Sequence, residues 1–324
     1  MSQTLRLRYD PRLIEESVFL VQRSIEEPRN VRVERERIYE ISDSEERERR
    51  FAQLYCSRFI NLRLADPVEQ TLREQPMIVA RARSCFVVFA AHAQDEGAEL
   101  FLAPDEDQDP QERFTIRLLL RPRSLLDRES LLTFLRHELF HIADMLDPAF
   151  AYEPALPASE VGPTYDSLLR DRYRTLWDTT INGRMVKRGW LSGSTRSQSL
   201  SDFAAGFPML GGEVENVFAR FFDQEPHSHP EFVAFSQNPR AALGAIRVGP
   251  QPGSRCALCG FPTYTFAQPE SLDRLTSAEI AHDFPQWHPT DGLCTQCADL
   301  YRTKSLSIEA AKLLPGWHPS SLKN

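Results

Sequence analysis

Apolar residues recur along this chain at helical spacing in several stretches and at extended spacing in one. From about Glu45, Phe51, Leu54, Tyr55, Phe59 and Ile60 form a single stripe, with Ser42 or Ser44 placed to cap the helix. Residues 77–121 change period. MIVARARSCFVVFAAH and GAELFLA read as extended segments separated by the turn-like Gln94-Asp95-Glu96-Gly97, which predicts a hairpin, and FTIRLLLRP adds another strand. The acidic segment 104–110 between them reads as a solvated loop.

After the turn at Pro122, DRESLLTFLRHELFHIADMLD has a helical pattern, with Leu131, Leu132, Phe134, Leu135, Leu139 and Ile142 as packing positions. Pro148 breaks the chain, and Pro154, Pro157 and Pro163 stiffen the connection to a second long helix over Tyr165–Lys187, ended by Gly189. The inward positions of that helix are Leu168, Leu169, Tyr173, Leu176, Trp177, Ile181 and Met185. GSTRSQS reads as a surface loop and Glu213–Phe222 as a further helix. Strands followed by long helices predict an α+β fold. With VGPQPGSR as a linker, the chain divides into a helical, charge-rich region over 1–76, a main domain over 77–247 and a small module over 248–324. There is no internal repeat.

Composition narrows the class. The 324 residues are 41% hydrophobic, enough for a substantial core. A net charge of -8 argues against wholesale wrapping of nucleic acid. No apolar run approaches the length of a membrane span, and MSQTLRLRYDPRL puts charges where an export signal would need an apolar core. The expected location is therefore the cytoplasm. Of the six cysteines, Cys56 and Cys85 stand alone in apolar runs and are expected to be buried thiols. The other four form Cys256-Ala-Leu-Cys259 and Cys294-Thr-Gln-Cys297, which in such a chain read as metal ligands before they read as disulfides.

The sharpest motif is His137-Glu138-Leu139-Phe140-His141. On a helix the two histidines stand one turn apart on the same face, so both imidazoles can bind one zinc ion while Glu138 lies beside it. A hydrolytic zinc also needs a third protein ligand and an open position. Asp147 follows His141 at a spacing at which the chain turns back, but Asp144 stands where that turn favours glycine. Asp144 shares the histidine face but lies further along the helix. Asp178, beside Trp177 on the second long helix, is preferred on grounds of burial, unless Arg174 or Arg184 takes it as an ion pair; Asp166 is the remaining option. In this reading Glu138 removes a proton from zinc-bound water, which attacks an amide carbonyl, and returns it to the leaving amine. Arg172 or Arg174, and Tyr152 or Tyr173, are candidates to stabilise the oxyanion.

The paired CxxC units can close a tetrahedral tetrathiolate site, with Gly260 suited to the turn after Cys259. Metal there supplies folding energy that so small a module lacks. His282 and His288 lie between the knuckles and read as surface or hydrogen-bonding residues, as do His227 and His229 in PHSHP. Arg255, Arg274, Arg302 and Lys304, with Tyr264, Phe284 and Trp287, are too sparse a basic and aromatic set to define a nucleic-acid interface.

HELFH in a helix that follows a sheet resembles the zincin metallopeptidases. Asp178 as third ligand would resemble the gluzincins, and Asp147 the metzincin variants that use aspartate. The chain lacks the second histidine-containing stretch and the small residue of typical metzincins, and the Asn-Glu pattern of thermolysin-like enzymes. An HExxH domain followed by a four-cysteine module is also the SprT-like arrangement, some members of which digest proteins crosslinked to DNA. The resemblance covers about 77–187 and 256–297. It implies a zincin-like domain with a mixed sheet, a C-terminal zinc ribbon, one catalytic and one structural Zn²⁺, and a protein or peptide substrate. The alternative is a non-catalytic zinc-binding interaction or regulatory protein on the same scaffold.

Overall fold

The computed structural model describes residues 5–23, 29–102, 114–157, 163–239, 250, 255–268 and 271–312. The chain begins with β1 (Arg6–Tyr9), α1 (Pro11–Gln22), α2 (Arg29–Tyr39), α3 (Ser44–Asn61), α4 (Asp66–Arg73) and α5 (Pro76–Arg81). Next come β2 (Ser84–Phe89), β3 (Gly97–Leu102), β4 (Phe114–Leu120) and α6 (Arg128–Leu146). α7 (Pro163–Lys187), α8 (Thr195–Gly206), α9 (Val214–Asp223) and α10 (His229–Gln237) follow, and α11 (Arg274–Asp283) and α12 (Thr295–Lys312) close the chain. The result is a mixed α/β fold with a four-stranded mixed sheet. No helix among the described residues is long and apolar enough to cross a membrane.

The sheet order is β1-β2-β4-β3, with β1 and β4 parallel to β2 and β3 antiparallel to β4. The expected hairpin between the two segments flanking 94–97 is therefore corrected: β3 pairs with β4, and Met77–Arg81 belongs to a helix started by Pro76. Burial explains the order. Cys85 and Val87 of β2, and Ile116, Leu118 and Leu120 of β4, are fully buried, so these two strands take the centre. Phe101 and Leu102 of β3 stay exposed, as suits an edge. β1 went unread in the sequence because its four residues, Arg-Leu-Arg-Tyr, carry charge at alternate positions.

The core joins Leu13 and Val18 of α1, Phe59 of α3 and Val68 and Leu72 of α4 to the sheet and to Leu131, Leu135, Leu139, Ile142 and Leu146 of α6. Those last five recur at spacings of three and four, giving α6 one apolar face. Asp127 caps the helix by accepting from the Ser130 amide at 3.1 Å. In α3 the cap is Asp43 rather than Ser42 or Ser44, and Ile60 leaves the expected stripe to lie 61% exposed. Cys85 is buried as expected, but Cys56 is exposed. GSTRSQS is not a loop throughout: α8 starts at Thr195, and its Ser199 and Phe203 are buried. In α7, Gly183 permits close approach of α9, since a Cβ there would stand 1.9 Å from the Phe222 carbonyl oxygen. The acidic segment 104–110 lies outside the described residues, as does most of the expected linker.

The chain forms two compact units, one of Met1–Ala155 with Tyr173–Ala234 and one of Leu156–Arg172 with Phe235–Asn324. The first holds the sheet and α6. The second has a small core of Ile280, Trp287, Leu293, Ala298 and Tyr301 around Cys256 and Cys294.

Candidate metal centres

In the first unit α6 presents His137 and His141 away from its core-facing leucines, and α7 brings Asp178 to meet them. One ligand atom from each of the three lies within 4.8 Å of the other two. Asp178 Oδ1 stands 3.1 Å from His141 Nε2 and 3.7 Å from His137 Nε2. A tetrahedral zinc with ligand bonds of about 2.05 Å would hold its donors roughly 3.3 Å apart, so the set fits such an ion. The three side chains are between 17% and 36% exposed, which leaves the cluster open to solvent. It can accept a divalent metal ion.

Of the competing carboxylates, Asp147 and Asp166 are outside this cluster. Asp147 is the residue after α6 and accepts from the Ala149 amide at 2.9 Å. Asp144 is engaged elsewhere. It accepts two hydrogen bonds from Arg184, at 2.7 and 2.5 Å, and one from Trp177 Nε1 at 2.7 Å. Arg184 thus binds Asp144 rather than Asp178. This clamp ties α6 to α7 one turn beyond His141, and the Trp177 ring stands edge-on to the His141 imidazole with centroids 4.5 Å apart.

Glu138 is anchored to the edge strand. Its Oε2 accepts from the Ala98 amide at 3.2 Å, and its Oε1 lies 3.4 Å from His137 Nδ1. Burial pushes its pKa up, but the His137 hydrogen bond, the charges of His141 and His137 and the Ala98 amide outweigh it. The net effect lowers the pKa.

The aromatic neighbours have definite partners. The Tyr173 hydroxyl and His229 Nδ1 share a hydrogen bond of 2.7 Å, and the His229 amide donates to the Phe150 carbonyl at 2.8 Å. Burial lowers the His229 pKa and raises those of Tyr173 and Tyr152, which keeps all three neutral. Tyr152 packs its ring on Trp177 and His229. His227 lies 3.1 Å from Glu231. Arg172 is buried and donates to the Ser236 carbonyl at 3.3 Å, while Arg174 is exposed.

The second cluster is Cys256, Cys259, Cys294 and Cys297, whose sulfurs all lie within 4.8 Å of one another. Cys259 Sγ and Cys294 Sγ are 4.0 Å apart, against about 3.8 Å for a zinc tetrathiolate and about 2.05 Å for a disulfide. The Cys294 and Cys297 amides donate to Cys256 Sγ and Cys294 Sγ at 3.3 and 3.4 Å. The Gly260 amide donates to the Cys256 carbonyl at 2.9 Å, closing a turn that uses its positive φ of 71°. Burial raises the Cys256 pKa, but amides of Cys259, Cys294 and Leu258 bring it down to about 7. Burial and neighbouring thiol groups push Cys294 and Cys297 up. Four thiolates so crowded require a cation to ionise together, and this cluster too can hold a metal ion. His282 and His288 take no part: the first contacts Asp283 at 3.2 Å and the second Thr290 at 2.8 Å.

The Asp144–Arg184–Trp177 clamp and the Ala98–Glu138 hydrogen bond were not read from the sequence. Trp177 and Arg184 lie two helical turns apart, a spacing that could have paired both with one residue of a neighbouring helix. The Ala98 contact uses a backbone amide and leaves no mark on residue type. Compared with protein-family models, curated proteins and solved structures, the chain matches none.

Proposed function

We propose that the chain is a zinc-dependent hydrolase of amide bonds, a zincin-like peptidase whose His137, His141 and Asp178 hold the catalytic ion and whose four cysteines hold a structural one. The observation that carries this reading is the meeting of His137, His141 and Asp178 beside a Glu138 carboxylate already fixed to the edge strand. Zn²⁺ in such a site supplies Lewis acidity, bringing the pKa of bound water to about 7 and polarising a carbonyl.

The chain's own residues supply the rest. Glu138, anchored by the Ala98 amide, would accept the proton that water loses as its oxygen attacks the amide carbonyl. The C–N bond then breaks, and Glu138 returns the proton to the leaving nitrogen. β3 offers a template for an extended substrate. The Ala98 amide points away from β4, and Leu100 and Leu102, of the same parity, turn their backbone groups to the same side. A peptide added along that edge would run past Glu138, a recognition mode that depends on main-chain hydrogen bonds.

The test is metal quantification and a peptide-library cleavage assay on wild type, His137→Ala, Asp178→Ala and Glu138→Gln. We expect two zinc ions in the wild type, one in each ligand variant, and two with no cleavage in Glu138→Gln. Cleavage that persists in Glu138→Gln would reject the mechanism. Zinc at both sites without cleavage by the wild type would support the non-catalytic interaction protein instead.

A further inference from the structure

The first unit contains a second recess unrelated to the histidine cluster. A cavity of about 620 Å³ opens between α1 and α3, walled by Tyr39, Phe51 and Tyr55 and bordered by Glu15, Glu48 and Cys56. That volume is within the range of small-ligand pockets. Tyr39 and Phe51 meet edge-on with ring centroids 5.0 Å apart, and Phe51 and Tyr55 stack at 6.1 Å. The walls thus present ring faces and edges in more than one orientation.

Its charge is one-sided. Neither Glu15 nor Glu48 forms an ion pair or hydrogen bond among the described residues, and no Lys, Arg or His lines the cavity. Tyr39 is 66% exposed, a large aromatic surface left beside two unpaired carboxylates. Ring faces attract cations through their quadrupole, and carboxylates accept the hydrogen bonds that an ammonium or guanidinium donates. An apolar stem carrying a cationic head matches both features, whereas a neutral apolar group would leave the carboxylates unused and an anion would be repelled.

We propose that this cavity is a binding site for a basic side chain, lysine or arginine, presented by a partner polypeptide. The aliphatic stem lies against the rings, and the charged head reaches Glu15 and Glu48. The proposal is independent of hydrolysis at the histidine cluster.

Cys56, an exposed thiol on the cavity wall, provides a local readout. The full-length chain is alkylated with iodoacetamide in the presence of N-acetyl-lysine amide, N-acetyl-arginine amide or the neutral N-acetyl-norleucine amide, and Cys56 modification is followed by peptide mass spectrometry. The two basic probes should slow Cys56 alkylation in a saturable manner, while the neutral probe should not. In Glu15→Gln/Glu48→Gln, both at exposed positions, the concentration for half-protection should rise about tenfold. Tyr39→Leu should weaken protection while leaving the helical circular dichroism unchanged. Equal protection by norleucine amide would make the recess a general apolar groove and overturn the proposal. So would protection unchanged in the double glutamine variant, or none from any probe.

Discussion

Asp144→Ala should be among the most damaging single changes in the first unit, although Asp144 binds neither candidate metal ion. The residue is 9% exposed and accepts three hydrogen bonds, two from Arg184 and one from Trp177. Removing it strands a guanidinium whose side chain is only 16% exposed and whose Cζ sits 4.5 Å from the Phe140 ring centroid. Breaking one partner of a buried ion pair costs about 3–5 kcal/mol, because the other charge remains desolvated. The orphaned indole N–H overlaps with that cost rather than adding fully to it. Urea unfolding followed by tryptophan fluorescence, with Trp177 and Trp190 in this unit, measures the loss. Asp144→Leu/Arg184→Met, which removes both charges, should recover most of it. Because the clamp also sets α7 beside α6, Asp144→Ala should weaken metal-ion retention at His137, His141 and Asp178 by about tenfold, the lower range for outer ligand-supporting groups. A loss below about 1 kcal/mol would refute the reasoning, and so would a double variant no more stable than Asp144→Ala.

Further tests address other elements. Glu74 receives two hydrogen bonds from Arg136, each 2.8 Å; burial raises its pKa, but the Arg136 and Gln70 hydrogen bonds and the arginine charges bring it net below the ordinary value. Its contribution is therefore present above the unfolded pKa of about 4.3 and lost as pH falls through the lower folded value, so Glu74→Gln should flatten the acid limb of a stability–pH profile. Gly183→Ala should destabilise by about 1–3 kcal/mol in denaturant titration, since its Cβ would stand 1.9 Å from the Phe222 carbonyl oxygen. Stripping metal with a chelator should make residues 255–312 protease-sensitive while the sheet-containing unit stays resistant, and zinc should restore protection; an equally resistant stripped module would deny the cysteines a structural metal.

Where residue type and spacing are local, the chemistry could be read directly. His137 and His141 fall on one face because a helix repeats every 3.6 residues, and the paired CxxC units announce a shared centre through their spacing alone. Leu131, Leu135, Leu139 and Ile142 of α6 likewise identified the face that joins the core, whereas Leu132 is only half-buried. Long-range choices were less accessible. Asp178 was preferred over Asp147 on burial, but the sequence could not show that Asp144 would occupy Arg184 and leave Asp178 facing the histidines.

The sequence by itself determined the helices α3, α6, α7 and α9, the two histidines and the four cysteines, because each depends on contacts within a few turns of chain. The tertiary structure decided which carboxylate joined the histidines and which strand became the edge. It also placed Glu138 on the Ala98 amide. Those outcomes follow from competition for burial and for charge partners among segments distant in sequence. β4, with Ile116, Leu118 and Leu120 fully buried, took the interior place and left β3 at the margin beside Glu138.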